Sequence, residues 1–387
     1  MRGLEEQSRS APGSAADHHT EEEEEEEGGE EASLSNELSS DEDFDTDLEQ
    51  GDDAPYDPTG RRCYLEVCGR LGVVPDSYFL QHMRDSELVM KHRGLGPKGT
   101  KALAVPLVTN TSILNLNLRD NWMEGRGGAA IAQMLKENCY ITDVDVSHNG
   151  LGDEGACAMS RMLKENNTLT HLRLSNNGIT DLAADDLTAA LVTNSKLQHL
   201  DLSHNDLGDA AGHHLRDGLS ENTGLRRLDL SWNCIRGRGA VMLANGLAGN
   251  IFLRSVDLSF NGLGKEGAVA LGQALKENSV LEELDISNNR IPPEGVIRLA
   301  VGLRANKTIK SLNVGRNPIQ NAGCYGLLKS ISDNKDSAVE LLDLSDIFVN
   351  QDFEDLLESM RDTFPALVVK RGRKFAAFCR VKSDKTS

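Results

Sequence analysis

Leu197-Gln-His-Leu-Asp-Leu-Ser-His-Asn-Asp-Leu207 recurs in register as Leu225-Arg-Arg-Leu-Asp-Leu-Ser-Trp-Asn-Cys-Ile235. Both are copies of one pattern, L-x-x-L-x-L-x-x-N-x-L. Asn121, Asn149, Asn177, Asn205, Asn233, Asn261, Asn289 and Asn317 hold the same phase, at a constant 28-residue period. One more step toward the N-terminus reaches Arg93, inside a degenerate first copy, Leu88-Val-Met-Lys-His-Arg-Gly-Leu. Gly or Ala follows each Asn at one fixed offset, as at Gly127, Ala183 and Gly323. A second Asn keeps its own phase, from Asn110 and Asn138 to Asn334. A fixed period of this length marks a repeat architecture.

One unit reads as a short strand, a turn and a helix of about three turns. The Leu-x-Leu alternation turns the leucines inward and the intervening residues toward solvent. Asp153, Asp181, Asp209 and Asn321 suit the N-cap of the helix that follows. The second Asn suits a left-handed helix exit. No unit can bury its own leucines, so the units must stack, with the strands in one parallel sheet about 4.8 Å apart. Helices are wider than strands, so the expected fold class is an α/β solenoid, a horseshoe with the sheet on its concave face and the helices on its convex face. The pattern resembles the leucine-rich repeat family, in its ribonuclease-inhibitor-like class, over residues 88–347.

The layout around this solenoid of about nine repeats, plus a degenerate last one, has four further parts. Residues 58–87 read as a helical cap, with Tyr64, Val67, Cys68 and Leu71 on one face. Residues 348–370 read as the opposite cap. Residues 1–57 hold 22 acidic and two basic side chains, Glu21 to Glu27 unbroken, and read as a disordered acidic tail. Residues 371–387 read as a flexible basic tail. The chain has 41 Lys+Arg and 61 Asp+Glu, a net charge of −20. The leader accounts for all of it, and the rest of the chain balances the two signs. The wording Cys68-Gly-Arg-Leu-Gly-Val-Val-Pro-Asp-Ser-Tyr-Phe-Leu, with the acidic leader, is similar to the leucine-rich repeat-containing protein 74 family. That resemblance supplies no catalytic motif to carry over.

Several function classes are disfavoured. No run of 18 apolar residues exists, and the opening Met-Arg-Gly-Leu-Glu-Glu-Gln has no apolar stretch, so neither a membrane span nor a secretory signal is expected. Seven cysteines without a regular framework fit reduced thiols and a cytoplasmic protein. Gly-x-Gly-x-x-Gly occurs at Gly94, Gly150 and Gly262, always at one phase of the period, and is read as the strand-to-helix turn rather than a dinucleotide site. His171 and His199, and likewise His148 and His204, recur at shared phases, but with Arg173 among them they are read as solvated rather than as metal ligands. Cys63 and Cys68 are read as core residues. No cofactor, metal, nucleic acid or small-molecule substrate is expected, and the chain is taken as monomeric.

The concave face of the sheet carries the functional signal. One row reads Asn117, Asp145, Arg173, Asp201, Asp229, Asp257, Asp285, Asn313. Neighbouring aspartates at strand spacing repel by about 0.8 kcal/mol even in the dielectric of water. Beside them a serine row leaves the groove open. Trp232 and Phe260 stand just before Asn233 and Asn261, where sibling repeats hold Asp120, His148, Asn176, His204, Asn288 and Arg316. Exposed aromatics beside charges have the composition of a binding hot spot; the alternative is rim packing against the next turn. Arg227 and Glu283 are read as flanking the aromatic pair. The expected function is a non-enzymatic scaffold that binds another protein through this face, with Trp232 and Phe260 as anchors and Asp201, Asp229, Asp257 and Asp285 as the charged field. The runner-up, a GTPase-activating role, rests on fold analogy with Ran GTPase-activating proteins.

Overall fold

The computed structural model describes residues 57 and 59–372. The expectations for the acidic leader and for the basic end beyond Gly372 lie outside the described residues. Among the described residues eleven strands form one sheet in sequence order, every neighbouring pair parallel. They are β1 (Glu87–Val89), β2 (Asn115–Asn117), β3 (Asp143–Asp145), β4 (His171–Arg173), β5 (His199–Asp201), β6 (Arg227–Asp229), β7 (Ser255–Asp257), β8 (Glu283–Asp285), β9 (Ser311–Asn313), β10 (Leu341–Leu344) and β11 (Val368–Arg371). Helices α1 (Arg61–Leu71) and α2 (Ser77–His82) precede the sheet. Between strands run α3 (Gly96–Leu107), α4 (Glu124–Glu137), α5 (Gly152–Glu165), α6 (Ala184–Thr193), α7 (Asp209–Glu221), α8 (Gly237–Gly249), α9 (Gly264–Glu277), α10 (Pro293–Leu303), α11 (Gln320–Asp333) and α12 (Gln351–Ser359). Among the described residues no helix is long and apolar enough to cross a membrane.

From β1 to β9 the register follows the 28-residue period without a slip, and it then lengthens to 30 residues at β10 and shortens to 27 at β11. Leu200 faces Leu228, Leu228 faces Val256, and Asp229 faces Asp257. The central strand residues from Leu88 to Leu342 are all buried and form one continuous core with the inner helix residues. Each fully buried Leu contributes about 1.5–3 kcal/mol, and only stacking makes that burial possible.

The Asn ladder satisfies backbone groups that the tight coil would strand. Asn149 Nδ2 donates to Leu118 O of the preceding repeat at 3.0 Å and to Val146 O of its own at 2.9 Å, while its Oδ1 accepts from Asn121 N at 2.8 Å. The second Asn ladder works differently from the expectation. Asn138, Asn166 and Asn194 end their helices in extended, not left-handed, backbone. Asn138 Nδ2 reaches back to Leu107 O at 2.7 Å, and its Oδ1 accepts from Tyr140 N and Ile141 N. The exit is held by a side chain that bridges two repeats, so no left-handed residue is needed.

The expected N-caps also move. Asp153 and Asp209 lie inside α5 and α7, which have no side-chain cap of their own. Their carboxylates instead serve the next repeat: Asp153 accepts from Thr180 N at 2.7 Å and Asp209 from Arg236 N at 3.0 Å. Asp181 accepts from Gly208 N at 2.6 Å and Ala211 N at 3.1 Å, the opening of α7. Asn321 is simply the second residue of α11. The glycine-rich phase is a turn, as read: Gly94, Gly96, Gly150, Gly152 and Gly264 have positive φ, which glycine adopts without penalty.

At the N-terminal end Tyr64, Val67, Cys68 and Phe79 are buried against the first repeat; Cys68 is a core residue as expected, Cys63 is half-buried at its edge, and burial pushes both thiols up. Arg93, in place of the ladder Asn, lies 4.4 Å from the Tyr78 ring and 3.3 Å from Asp76. At the other end, Val368–Arg371 extends the sheet beyond the helical segment, and Arg371, where the basic tail is expected to begin, sits in β11 and pairs with Glu354 at 2.8 Å.

Candidate functional site

Four side-chain columns run across the sheet, one residue per repeat. The first contains Asp143, His171, His199, Arg227, Ser255 and Glu283; the second contains Asp145, Arg173, Asp201, Asp229, Asp257 and Asp285. The third is the serine column, and the fourth is the residue before each ladder Asn. Because Ser203, Ser231, Ser259 and Ser287 are small and buried, the third column is a floor between the carboxylates and the fourth column.

The fourth column has one backbone conformation throughout. His92, Asp120, His148, Asn176, His204, Trp232, Phe260, Asn288, Arg316 and Asp346 all have positive φ, between 53° and 63°. Their backbone N–H groups hold them there, as Trp232 N donates to Ser259 O at 2.9 Å and Phe260 N to Ser287 O at 3.0 Å. Asn, Asp and His tolerate this region, whereas bulky residues there are outliers that cost about 1–2 kcal/mol. Most polar members pair along the column: His92 with Asp120 at 2.6 Å, His148 with Asn176 at 2.7 Å, Arg316 with Asp346 at 2.7 Å. Arg119 donates to His148 Nε2 at 2.9 Å, beside the Asn176 amide on Nδ1. Burial and the Arg119 charge hold the His148 pKa down.

At the centre the column becomes aromatic. The Trp232 and Phe260 rings stack at 3.8 Å and 11°, and His204 lies on the other face of Trp232 at 5.1 Å and 12°. Trp232 remains 48% exposed. The rings contact one another across neighbouring turns, as rim packing would have them, with Asn288 next in the column beyond Phe260, which is half-buried. Sequence reasoning paired His204 with His148 and missed its place in this stack, although it shares the phase of Trp232 and Phe260.

The aspartate column has a structural role as well. Asp201, Asp229, Asp257 and Asp285 each accept from the serine N–H two residues on, at 2.8–2.9 Å. Asn117 and Asn313 make the same bond at 3.1 and 3.0 Å, so the bond needs an oxygen and not a charge. Burial, opposed by bonds from Ser259, with the Asp285 and Asp229 charges adding to it, pushes Asp257 up to about 6. Asp229 is raised too, burial first and Asp201 among the causes. Asn313 donates to the second oxygen of Asp285 at 2.6 Å. Arg173 is engaged by Asp143 at 2.6 Å.

Arg227 and Glu283 do not flank the aromatic pair. They lie in the first column, with the aspartates between them and the rings. Glu283 accepts from Ser255 Oγ at 2.8 Å and lies 4.0 Å from Arg227. The His171 and His199 rings lie 4.1 Å apart, tilted by 41°, and among the described residues no three His, Cys, Asp or Glu converge on a metal position. A second tryptophan escapes the sequence reading. Trp122 is 74% exposed at φ 58°, where four sibling repeats hold Gly94, Gly150, Gly178 and Gly262 and the others Asp206, Cys234, Arg290 and Pro318. The signal is there, the one aromatic at that phase.

Eight segments, residues 109–132, 137–160, 165–187, 193–212, 221–244, 249–272, 277–300 and 305–328, match the family model described as Leucine Rich repeat. The chain is similar to leucine-rich repeat-containing protein 74B of Homo sapiens, 51% identical over 63 residues, 16% of this chain and 15% of that one. It is also similar to the Mus musculus protein of that name, 56% identical over 46 residues, 12% of each. The aligned stretches span less than a sixth of either relative. Among solved structures, an internalin from Listeria monocytogenes aligns with 82% of this chain and 92% of its own at 14% identity and a TM-score of 0.41. Actin-binding site 2 of leiomodin-1 aligns with 33% of this chain and 80% of its own at 25% identity and a TM-score of 0.30. With its parallel strands and helices alternating on the period that the repeat model matches eight times, the chain is a leucine-rich repeat protein, an α/β solenoid that resembles leucine-rich repeat-containing protein 74B.

Proposed function

We propose that this chain is a non-enzymatic scaffold that binds another protein through the strand-lined face and its rim, centred on residues 205–289. The observation that carries the reading is the His204–Trp232–Phe260 stack, with His204 and Trp232 exposed and Phe260 half-buried. Two of its rings sit in a backbone conformation that sibling repeats fill with small polar or charged residues, and nothing in the stack of repeats requires an aromatic there. The left-handed backbone belongs to the fold, but a bulky residue strained there, where Asn or Asp would serve, points to function. Asp201, Asp229, Asp257 and Asp285 supply a field beside it, and large aromatics near charges are where interface energy concentrates. The Arg227–Glu283 pair lies on the far side of that field and sets its border.

The test is affinity capture with the intact chain and with a Trp232→Asn/Phe260→Asn variant. Asn occupies the same column at Asn176 and Asn288, so the variant keeps the left-handed geometry. Loss of a protein that the intact chain retains supports the reading. An unchanged set of captured proteins sinks it. The GTPase-activating alternative gains no support from the side chains described above; absence of accelerated GTP hydrolysis across a panel of small GTPases would remove it.

A further inference from the structure

The aromatic ledge and the carboxylate column together define the chemistry of an occupant. Asp201, Asp229, Asp257 and Asp285 stand in register on β5–β8. Among the described residues no Lys or Arg forms an ion pair with any of the four, and the ion pairs nearby are Arg173–Asp143, Arg227–Glu283 and Lys370–Asp343. The serine floor separates this column from the ring edges of His204, Trp232 and Phe260. Because those rings cover one another's faces, a cation cannot sit on the Trp232 face. An aliphatic stem can lie along the ring edges, as the methylenes of Lys and Arg do when their charged heads reach elsewhere.

Spacing selects the backbone of the occupant. Three strand spacings, from Asp201 to Asp285, cover about 14 Å. On a helix, residues i, i+3, i+7 and i+10 share a face and cover about 15 Å. Alternate residues of an extended chain would need about 20 Å for the same four side chains. We propose that this face takes a basic amphipathic helix of a partner protein, laid across the strands. Its Lys or Arg side chains meet the four aspartates, and its adjacent apolar stripe lies on the His204–Trp232–Phe260 ledge. This rests on the partner-binding reading above and narrows it to one class of partner.

The experiment titrates the full chain into three fluorescein-labelled peptides at physiological salt. The first carries Lys at i, i+3, i+7 and i+10 with Leu beside them; the second has the same composition in strict Lys-Leu alternation; the third is the first with Glu for Lys. The helical basic peptide is expected to bind at least tenfold more tightly than the alternating one, and the acidic peptide not to bind. Asp229→Asn/Asp257→Asn and Trp232→Asn/Phe260→Asn should each weaken the helical peptide at least tenfold. These variants matter because the acidic leader also attracts cations. Binding that ignores both pairs of substitutions belongs to the leader and overturns the proposal. Equal or tighter binding of the alternating peptide overturns the helical register. A marked gain in affinity on deleting residues 373–387 would assign the face to the chain's own basic end instead. If no basic peptide binds while Trp232→Asn/Phe260→Asn still abolishes partner capture, the basic helix is wrong and the binding face stands. If capture is also unaffected, the face itself is wrong.

Discussion

Asp257→Asn should make this protein more stable at neutral pH and leave it unchanged in acid. Asp257 accepts from Ser259 N at 2.8 Å, and Asn can make that bond, as Asn117 and Asn313 do at the same column position. What the substitution removes is a charge that is partly desolvated and stands between Asp229 and Asp285. The folded carboxyl is raised from its ordinary 3.8 to about 6. Its stabilising contribution is therefore fully present below about 3.8 and is lost as pH rises through about 6; above that the ionised group opposes folding. At 1.36 kcal/mol for each tenfold change in proton affinity the ceiling is about 3 kcal/mol. The groove is open to water, so screening reduces the expected gain to about 1 kcal/mol. Urea unfolding of both proteins at pH 5, 6, 7 and 8 measures it, and the advantage of the variant should grow from pH 5 to 7 and then level off. A variant that is equally or less stable at pH 7.5, or an advantage independent of pH, would refute the account of this column. A gain would show a carboxylate retained against stability, as a binding face requires.

Three further outcomes follow from the same geometry. Asn149→Ala leaves Asn121 N, buried and bonded to Asn149 Oδ1, without its acceptor and takes one donor each from Leu118 O and Val146 O; it should cost about 2–4 kcal/mol in urea unfolding, and a loss below about 0.5 kcal/mol would contradict the ladder's role. Gly302→Ala places a Cβ against the Gly272 carbonyl of α9, whereas at Gly326 the nearest atom is the Ile297 Cγ1 at 3.8 Å. The first should destabilise by about 1–3 kcal/mol and the second should be neutral or stabilise by up to about 1 kcal/mol, a contrast that thermal unfolding of the two variants checks directly. Trp232→Asn loses ring stacking worth about 0.5–1.5 kcal/mol but relieves about 1–2 kcal/mol of left-handed strain, so its stability should lie within about 1 kcal/mol of the parent; a larger loss would make Trp232 a structural residue.

The sequence by itself determined the repeat, its strand–turn–helix content, the inward leucines and the column of polar siblings in which Trp232 and Phe260 stand. It could do so because a fixed period makes each position its own control: an aromatic among polar siblings, or a serine among serines, can be read without coordinates. Tertiary structure decided where each side chain finds its partner. Asp153, Asp181 and Asp209 look like caps of their own helices, and Asn138 looks like a left-handed exit, because a local reading sees only the residues near them in sequence. Their hydrogen bonds run to groups about one repeat away, since in a solenoid one full period of chain separates neighbours in space. The same reason hid the His204–Trp232–Phe260 stack, the Arg227–Glu283 pair and the raised Asp257, none of which exists within a single repeat.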